Sequence, residues 1–137
     1  MADMTVDRAA AAPAQNLVTL THVMYALHGF SALMGVLTSA FVITAFLAGW
    51  PSLLAVILNY VKRDEVRGTW LETHFAWQLR TFWYAVLWFI VAVLLALTLV
   101  GIVLAIPLAL VLTVWIVYRV IRGWMTLGQG RPMVIKK

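Results

Sequence analysis

Three residues at helical spacing hold the most concentrated chemical potential in this sequence: His74, Gln78 and Thr81, at i, i+4 and i+7. On one helix they share a stripe that could line a small polar site, with His74 as its acid–base group. The plainer reading is that His74 and Gln78 satisfy backbone or head-group partners where a helix enters a membrane. Glu72 is two residues from His74 and points away from it on a helix, which argues against a shared metal. Thr69-x-x-Glu72 reads as a capping box, which gives that carboxylate a structural task at a helix start.

The other candidates are weaker. His22 and His28 are six residues apart and project roughly 120° from one another on a helix, outside the i, i+3 or i, i+4 pairing of a metal site. His22 falls near the start of an apolar block, at head-group depth, which leaves His28 as the intramembrane candidate. Asp64 and Glu65 lie among Lys62, Arg63 and Arg67 and read as a solvated, salt-bridged loop. There is no cysteine, so thiolate ligation, a thiol nucleophile and a disulfide framework are excluded. Phosphate-cradling glycine loops, the nucleophile elbow and H-E-x-x-H are all absent, and no motif implies a cofactor or a catalytic residue.

The elements that must position these groups follow from composition. Hydrophobic residues make up 64% of the 137 and charged residues 11%, with a mean hydropathy of +0.97; soluble domains carry about 25% charge. No Asp, Glu, Lys or Arg occurs from Ala9 to Val61 or from Thr81 to Tyr118. Each block exceeds the roughly 20 apolar residues that one spanning helix needs. VLWFIVAVLLALTLVG is apolar on every face, unlike the alternating strands of a membrane barrel. The expected fold is all-α: a polytopic bundle of four membrane helices arranged as two hairpins.

Gly49-Trp50-Pro51 breaks the first block into a long helix from about Leu17 to Leu47 and a short one from Pro51 to about Arg63. Gly101 divides the second block, with one helix ending near Val100 and another running from Ile102 to Trp124, Pro107 lying in its first turns. An amphipathic stem precedes the third helix. Leu71, Phe75, Leu79 and Phe82 share its apolar face, flanked by Ala76 and Trp83, with Thr73 and Arg80 opposite. Trp70, Trp77, Trp83 and Tyr84 form an aromatic belt at the bilayer surface. Residues 1–16 read as a disordered leader, 17–124 as the membrane domain and 125–137 as a basic cytoplasmic tail.

The net charge of +5 is distributed as topology and not as a nucleic-acid surface. Lys62, Arg63, Arg67 and Arg80 flank the central loop, and Arg119, Arg122, Arg131, Lys136 and Lys137 crowd the end. Basic clusters beside membrane segments mark cytoplasmic sides, so the loop and the C-terminus are both expected there. Four crossings with a cytoplasmic N-terminus fit best, with three crossings and an outside N-terminus as the alternative. Lys62, Arg63, Arg67 and Arg80 are the candidate contacts to anionic lipid. Ser31, Gly35 and Ser39 form a small-residue ridge at i, i+4 and i+8, suited to packing within the chain or to self-association or a partner subunit of a larger membrane complex.

The run LNYVKRDEVRGTWLETHFAWQLRTFWY, an apolar hairpin, and the ending YRVIRGW followed by RPM resemble a family. They are similar to a group of small uncharacterised proteobacterial inner-membrane proteins, related to a widespread bacterial domain of unknown function that is remotely similar to the chloroplast inner-envelope import channel. The resemblance covers about residues 20–134 and rests on Pro51, Lys62, Arg63, Asp64, His74 and Gln78. It implies a bacterial inner-membrane location. Three functions follow in order of support: a structural or accessory subunit, not an enzyme, acting through helix packing and lipid contact; a small channel or translocation component, for which His28, Thr38, Ser39 and Thr44 would be the polar groups of the first helix; and a lipid- or quinone-acting enzyme using His74.

Overall fold

A computed structural model describes residues 11–37 and 49–135. The described residues form four helices: α1 (Gln15–Leu37), α2 (Trp50–Val61), α3 (Leu71–Ala96) and α4 (Gly101–Gly128). Among the described residues there are no named strands, only one isolated parallel bridge between Ala11 and Thr69. Thr38, Ser39 and Thr44, and the last part of the expected first helix, lie outside the described residues.

The helix boundaries have local causes. In α2, Pro51 sits in the first turn, where its missing N–H costs nothing, and Gly49 offers no side-chain cap. Ser31 of α1 supplies that cap from across the interface: its hydroxyl accepts the Ser52 N–H at 3.0 Å. A backbone donor in an apolar surrounding needs such a partner.

The start of α3 differs from a regular capping box. Glu72 reaches back to the N–H of Gly68 at 3.0 Å, one residue earlier than Thr69, while the Thr69 hydroxyl donates to the Val66 carbonyl at 2.7 Å. Gly68 has φ +77°, and this left-handed step swings its N–H toward the carboxylate. Glu72 therefore keeps its structural role with a different partner.

Between α3 and α4 only Leu97–Val100 intervene. Thr98 donates to the Leu95 carbonyl at 2.8 Å and accepts from the Gly101 N–H at 3.0 Å, so its hydroxyl ties the end of α3 to the start of α4. Gly101 is required there, because a Cβ would collide with the Leu95 carbonyl and the Thr98 hydroxyl.

The last helix runs past Trp124 to Gly128 and closes with a Schellman cap: Gly130 N–H bonds Leu127 O and Arg131 N–H bonds Thr126 O, with Gly130 at φ +64°. Residues 131–135 then fold back over α3. Met133 donates its N–H to Thr73 Oγ1 at 2.8 Å and buries its side chain, so the described part of the tail is docked onto the bundle.

Helices α3 and α4, at 26 and 28 residues, measure about 40 Å each. With Gln15–Gly35 they give, among the described residues, three segments long and apolar enough to cross a membrane, whereas α2 at 12 residues spans only about 18 Å. The start of α1 meets the central loop, the Ala11 N–H bonding Gly68 O at 3.2 Å, and His74 meets the tail. The described N-terminal residues, the central loop and the tail thus share one end of the bundle, and the α3–α4 turn lies at the other.

Packing is concentrated at the first of these ends. The core comprises Leu17, Met24 and Tyr25 of α1, Ala55 of α2, Leu71, Phe75 and Trp77 of α3, and Val120 and Leu127 of α4, joined by Val66 of the loop and Met133 of the tail. The buried face of α3 includes Leu71 and Phe75 as the apolar pattern implies, but Leu79 and Phe82 are half-buried and Trp83 is exposed. His74, Gln78 and Thr81 take the inward positions beside Trp77. In the far half of the α3–α4 hairpin the large side chains face outward, among them Phe89, Leu94, Leu99 and Val103.

Candidate functional site

The polar stripe forms a knot inside the bundle. His74 is fully buried, with Nδ1 2.9 Å from the Tyr25 hydroxyl and Nε2 2.7 Å from the Arg131 carbonyl oxygen. A carbonyl only accepts, so Nε2 carries the proton in that bond. In the neutral ring Nδ1 then accepts from the Tyr25 O–H. Trp70 and Tyr25 both meet the imidazole edge-to-face, at centroid distances of 5.7 and 5.9 Å. One histidine thereby joins α1, α3 and the tail.

Tyr25 reaches His74 because Gly123 leaves it room. A Cβ at position 123 would lie 2.5 Å from both Cε1 and the hydroxyl of Tyr25, so the phenol rests directly on the α4 backbone.

One turn further along α3, Gln78 Oε1 accepts from Asn59 Nδ2 at 2.9 Å, and the same Nδ2 also donates to the Ala55 carbonyl at 3.1 Å. Among the described residues, Asn59 Oδ1 and Gln78 Nε2 are buried without a hydrogen-bond partner at regular geometry, although the Gln78 amide also approaches the Tyr25 hydroxyl. On α1, His28 Nδ1 lies 2.9 Å from Ser52 Oγ, and its buried Nε2 is also unpartnered. The proposed polar set of His28, His74, Gln78 and Thr81 is thus buried throughout, and its members find different partners: His74 bonds Tyr25, which Gln78 also approaches, Gln78 bonds Asn59, His28 bonds Ser52, and Thr81 bonds Arg119.

Thr81 leads to a second constellation. Its hydroxyl donates to the Trp77 carbonyl at 2.7 Å and accepts from Arg119 Nε at 2.8 Å. The Arg119 guanidinium carbon sits 3.4 Å above the Trp77 ring, a cation–π contact. The two residues also exchange backbone bonds: Trp77 Nε1 to Arg119 O at 3.1 Å, and Arg119 Nη2 to Trp77 O at 3.3 Å. Arg122 donates to the Tyr118 hydroxyl at 2.6 Å and lies 5.8 Å from the same Trp77 ring. His22 accepts from Trp124 Nε1 at 3.1 Å, a tie between α1 and α4 at the bundle surface.

The loop cations behave differently. Lys62 pairs with Glu65 at 2.6 Å and Arg67 with Asp64 at 3.2 Å, both exposed, while Arg63 is exposed with no carboxylate partner among the described residues. With Glu72 held by Gly68, all three carboxylates of the described residues are engaged at the loop. Of the four candidate lipid contacts, Lys62 and Arg67 are internally neutralised and Arg63 and Arg80 are not. In the small-residue ridge, Ser31 is buried and caps α2, but a Cβ on Gly35 would meet nothing within 4 Å among the described residues, and Ser39 lies outside them.

Sequence reasoning did not single out Tyr25, Asn59 or Gly123, nor Arg119 as part of a site. Asn59 was the accessible signal, as the lone amide in the apolar helix PSLLAVILNYV. Gly123 could have been flagged as a glycine inside a helix, but its partner Tyr25 is 98 positions away and no spacing rule connects them.

These features define a class: a multi-pass α-helical membrane protein whose polar interactions are gathered at one end of an otherwise apolar bundle. Comparison with protein-family models, with curated proteins and with solved structures returned no match. The functional reading rests on the geometry just described.

Proposed function

We propose that the chain is a small integral protein of the bacterial inner membrane with a structural or accessory role, acting through helix packing and lipid contact, and that its central loop and C-terminus face the cytoplasm. The supporting observation is the division of the molecule into two unlike halves. Near the loop, Tyr25–His74, Asn59–Gln78 and Trp77–Arg119 fasten helices together. Beyond Tyr84 and before Trp115, α3 and α4 expose apolar side chains such as Leu87, Phe89, Val111 and Val114, a surface that lipid or another helix must cover. Basic residues at the fastened end agree with a cytoplasmic orientation.

A non-enzymatic role fits His74, because both of its ring nitrogens are occupied by structural partners and neither faces a free space for substrate. A small channel or translocation component is the second reading, favoured by the three buried polar atoms on His28, Asn59 and Gln78 that lack a partner at regular geometry among the described residues. Against it, α3 from Ala85 to Ala96 and α4 from Gly101 to Leu112 offer no polar side chain but the Trp88 indole to continue such a path through one chain. Reconstitution of the pure protein in liposomes discriminates the two. The structural role predicts no ion or solute flux above protein-free vesicles, whereas flux abolished by Asn59→Leu with Gln78→Leu would replace it with the channel.

A further inference from the structure

Three arginines at the fastened end, one on α3 and two on α4, take no part in the ion pairs among the described residues. Arg119 and Arg122 of α4 both approach the Trp77 ring, at 3.4 and 5.8 Å, and Arg119 also feels the positive charge of Arg80 on α3; no carboxylate among the described residues pairs with any of the three. Two are nevertheless held in place, and by neutral partners. Arg119 is fixed by the Thr81 hydroxyl, the Trp77 carbonyl and the Trp77 ring, and Arg122 by the Tyr118 hydroxyl. Fixing a guanidinium with neutral acceptors removes side-chain entropy in advance while leaving its charge uncompensated. Like charges assembled in that way call for an external anion.

The surroundings specify which anion. Trp77, Trp115 and Tyr118 meet Arg119 or Arg122, and Tyr84 packs on Trp115; indole and phenol rings of this kind mark the depth of lipid head groups. Immediately beyond them begins the exposed apolar surface of α3 and α4, which suits acyl chains and not a free inorganic ion. Guanidinium forks match phosphate oxygens two at a time. One phosphate diester would neutralise one of three charges, whereas a head group with two would neutralise two and bring four chains to cover a wide apolar face. We propose that Arg80, Arg119 and Arg122 bind the head group of an anionic phospholipid bearing two phosphates, of the cardiolipin class. This rests on the reading of the chain as a multi-pass membrane protein, which topology mapping tests by itself; a correctly inserted chain that bound no such lipid would overturn only the present inference.

The test is native mass spectrometry of the full chain in detergent, titrated separately with cardiolipin, phosphatidylglycerol, phosphatidylethanolamine and inorganic pyrophosphate. Arg80→Gln with Arg122→Gln changes two exposed side chains, and Arg63→Gln with Arg67→Gln removes the same charge from the loop. Cardiolipin should bind the wild type at least about tenfold more tightly than phosphatidylglycerol, and the Arg80/Arg122 pair should weaken it by about thirty-fold. The loop pair should remain within about twofold of wild type. If the Gln pair does not fold, Arg80→Lys with Arg122→Lys keeps the charge and loses the forks, and should weaken cardiolipin several-fold. Unchanged cardiolipin binding in the Arg80/Arg122 variants, an equal loss in the loop variant, equal affinity for phosphatidylglycerol, or equally tight binding of pyrophosphate alone would each overturn the assignment.

Discussion

The contact between Gly123 and Tyr25 makes the sharpest demand on the sequence, and Gly123→Ala tests it. The added Cβ would lie 2.5 Å from Tyr25 Cε1 and from its hydroxyl and 2.7 Å from Cζ, so about 1 Å of movement is needed to restore ordinary carbon contact. Tyr25 cannot yield freely, since its ring is rigid, only 1% exposed, and bonded to His74 at 2.9 Å. Overpacking of this kind costs about 1–3 kcal/mol. Displacing the phenol from a buried imidazole leaves two polar groups unpaired, at about 1–3 kcal/mol more. The expected loss is therefore roughly 2–6 kcal/mol, read as a fall of roughly 10 °C or more in the thermal transition of tryptophan fluorescence in detergent. In a Tyr25→Leu background the same alanine should cost at least about 1 kcal/mol less, a coupling of the size seen between touching residues. Gly29→Ala provides the control, because its Cβ would meet Val120 and Trp124 at 3.6 and 3.8 Å, ordinary contacts. A Gly123→Ala protein as stable as the wild type, or a penalty unchanged by Tyr25→Leu, would refute the reasoning.

Ser31→Ala should destabilise the bundle by about 1–3 kcal/mol by leaving the Ser52 N–H without its acceptor, measured by the same thermal transition. Arg119→Lys should cost about 1–2 kcal/mol although the charge is kept, because an ammonium cannot both lie over Trp77 and bond Thr81 and the Trp77 carbonyl; equal stability of the two proteins would show that charge alone matters there. Gly35→Ala should leave monomer stability unchanged or raise it by up to about 1 kcal/mol, since nothing opposes the new methyl group, and a loss above about 1 kcal/mol together with a change of mass in nanodiscs would indicate a partner at that face.

Long uninterrupted apolar blocks made the helices legible, and Gly49-Trp50-Pro51 and Gly101 located two breaks because glycine and proline act on the backbone locally. The ends of α3 and α4 were less so. Thr98 and the Schellman glycine Gly130 place those boundaries through bonds that hydropathy does not register, ending α3 at Ala96 and carrying α4 on to Gly128. Spacing put His74, Gln78 and Thr81 on one stripe, but whether it faced lipid head groups or protein depended on Tyr25, Asn59 and Arg119 arriving from three other helices. Charge counting named the loop cations for lipid contact. It could not see that Asp64 and Glu65 neutralise Arg67 and Lys62 while Arg80 keeps company with two further arginines.

Sidedness tests the central claim most directly, because the account stands on a polar, basic end in the cytoplasm and an apolar hairpin crossing away from it. The chain has no cysteine, so single substitutions report cleanly. Cysteines at Ala12, Asp64 and Gln129, all exposed at the fastened end, and at Leu99, 93% exposed in the α3–α4 turn, should be compared in intact cells and in inverted membrane vesicles with an impermeant thiol reagent. Leu99 is the choice for the turn since Gly101 has no room for a side chain. The account predicts labelling of the first three only in inverted vesicles and of Leu99 only in intact cells; labelling of Asp64 and Leu99 from the same side would contradict it.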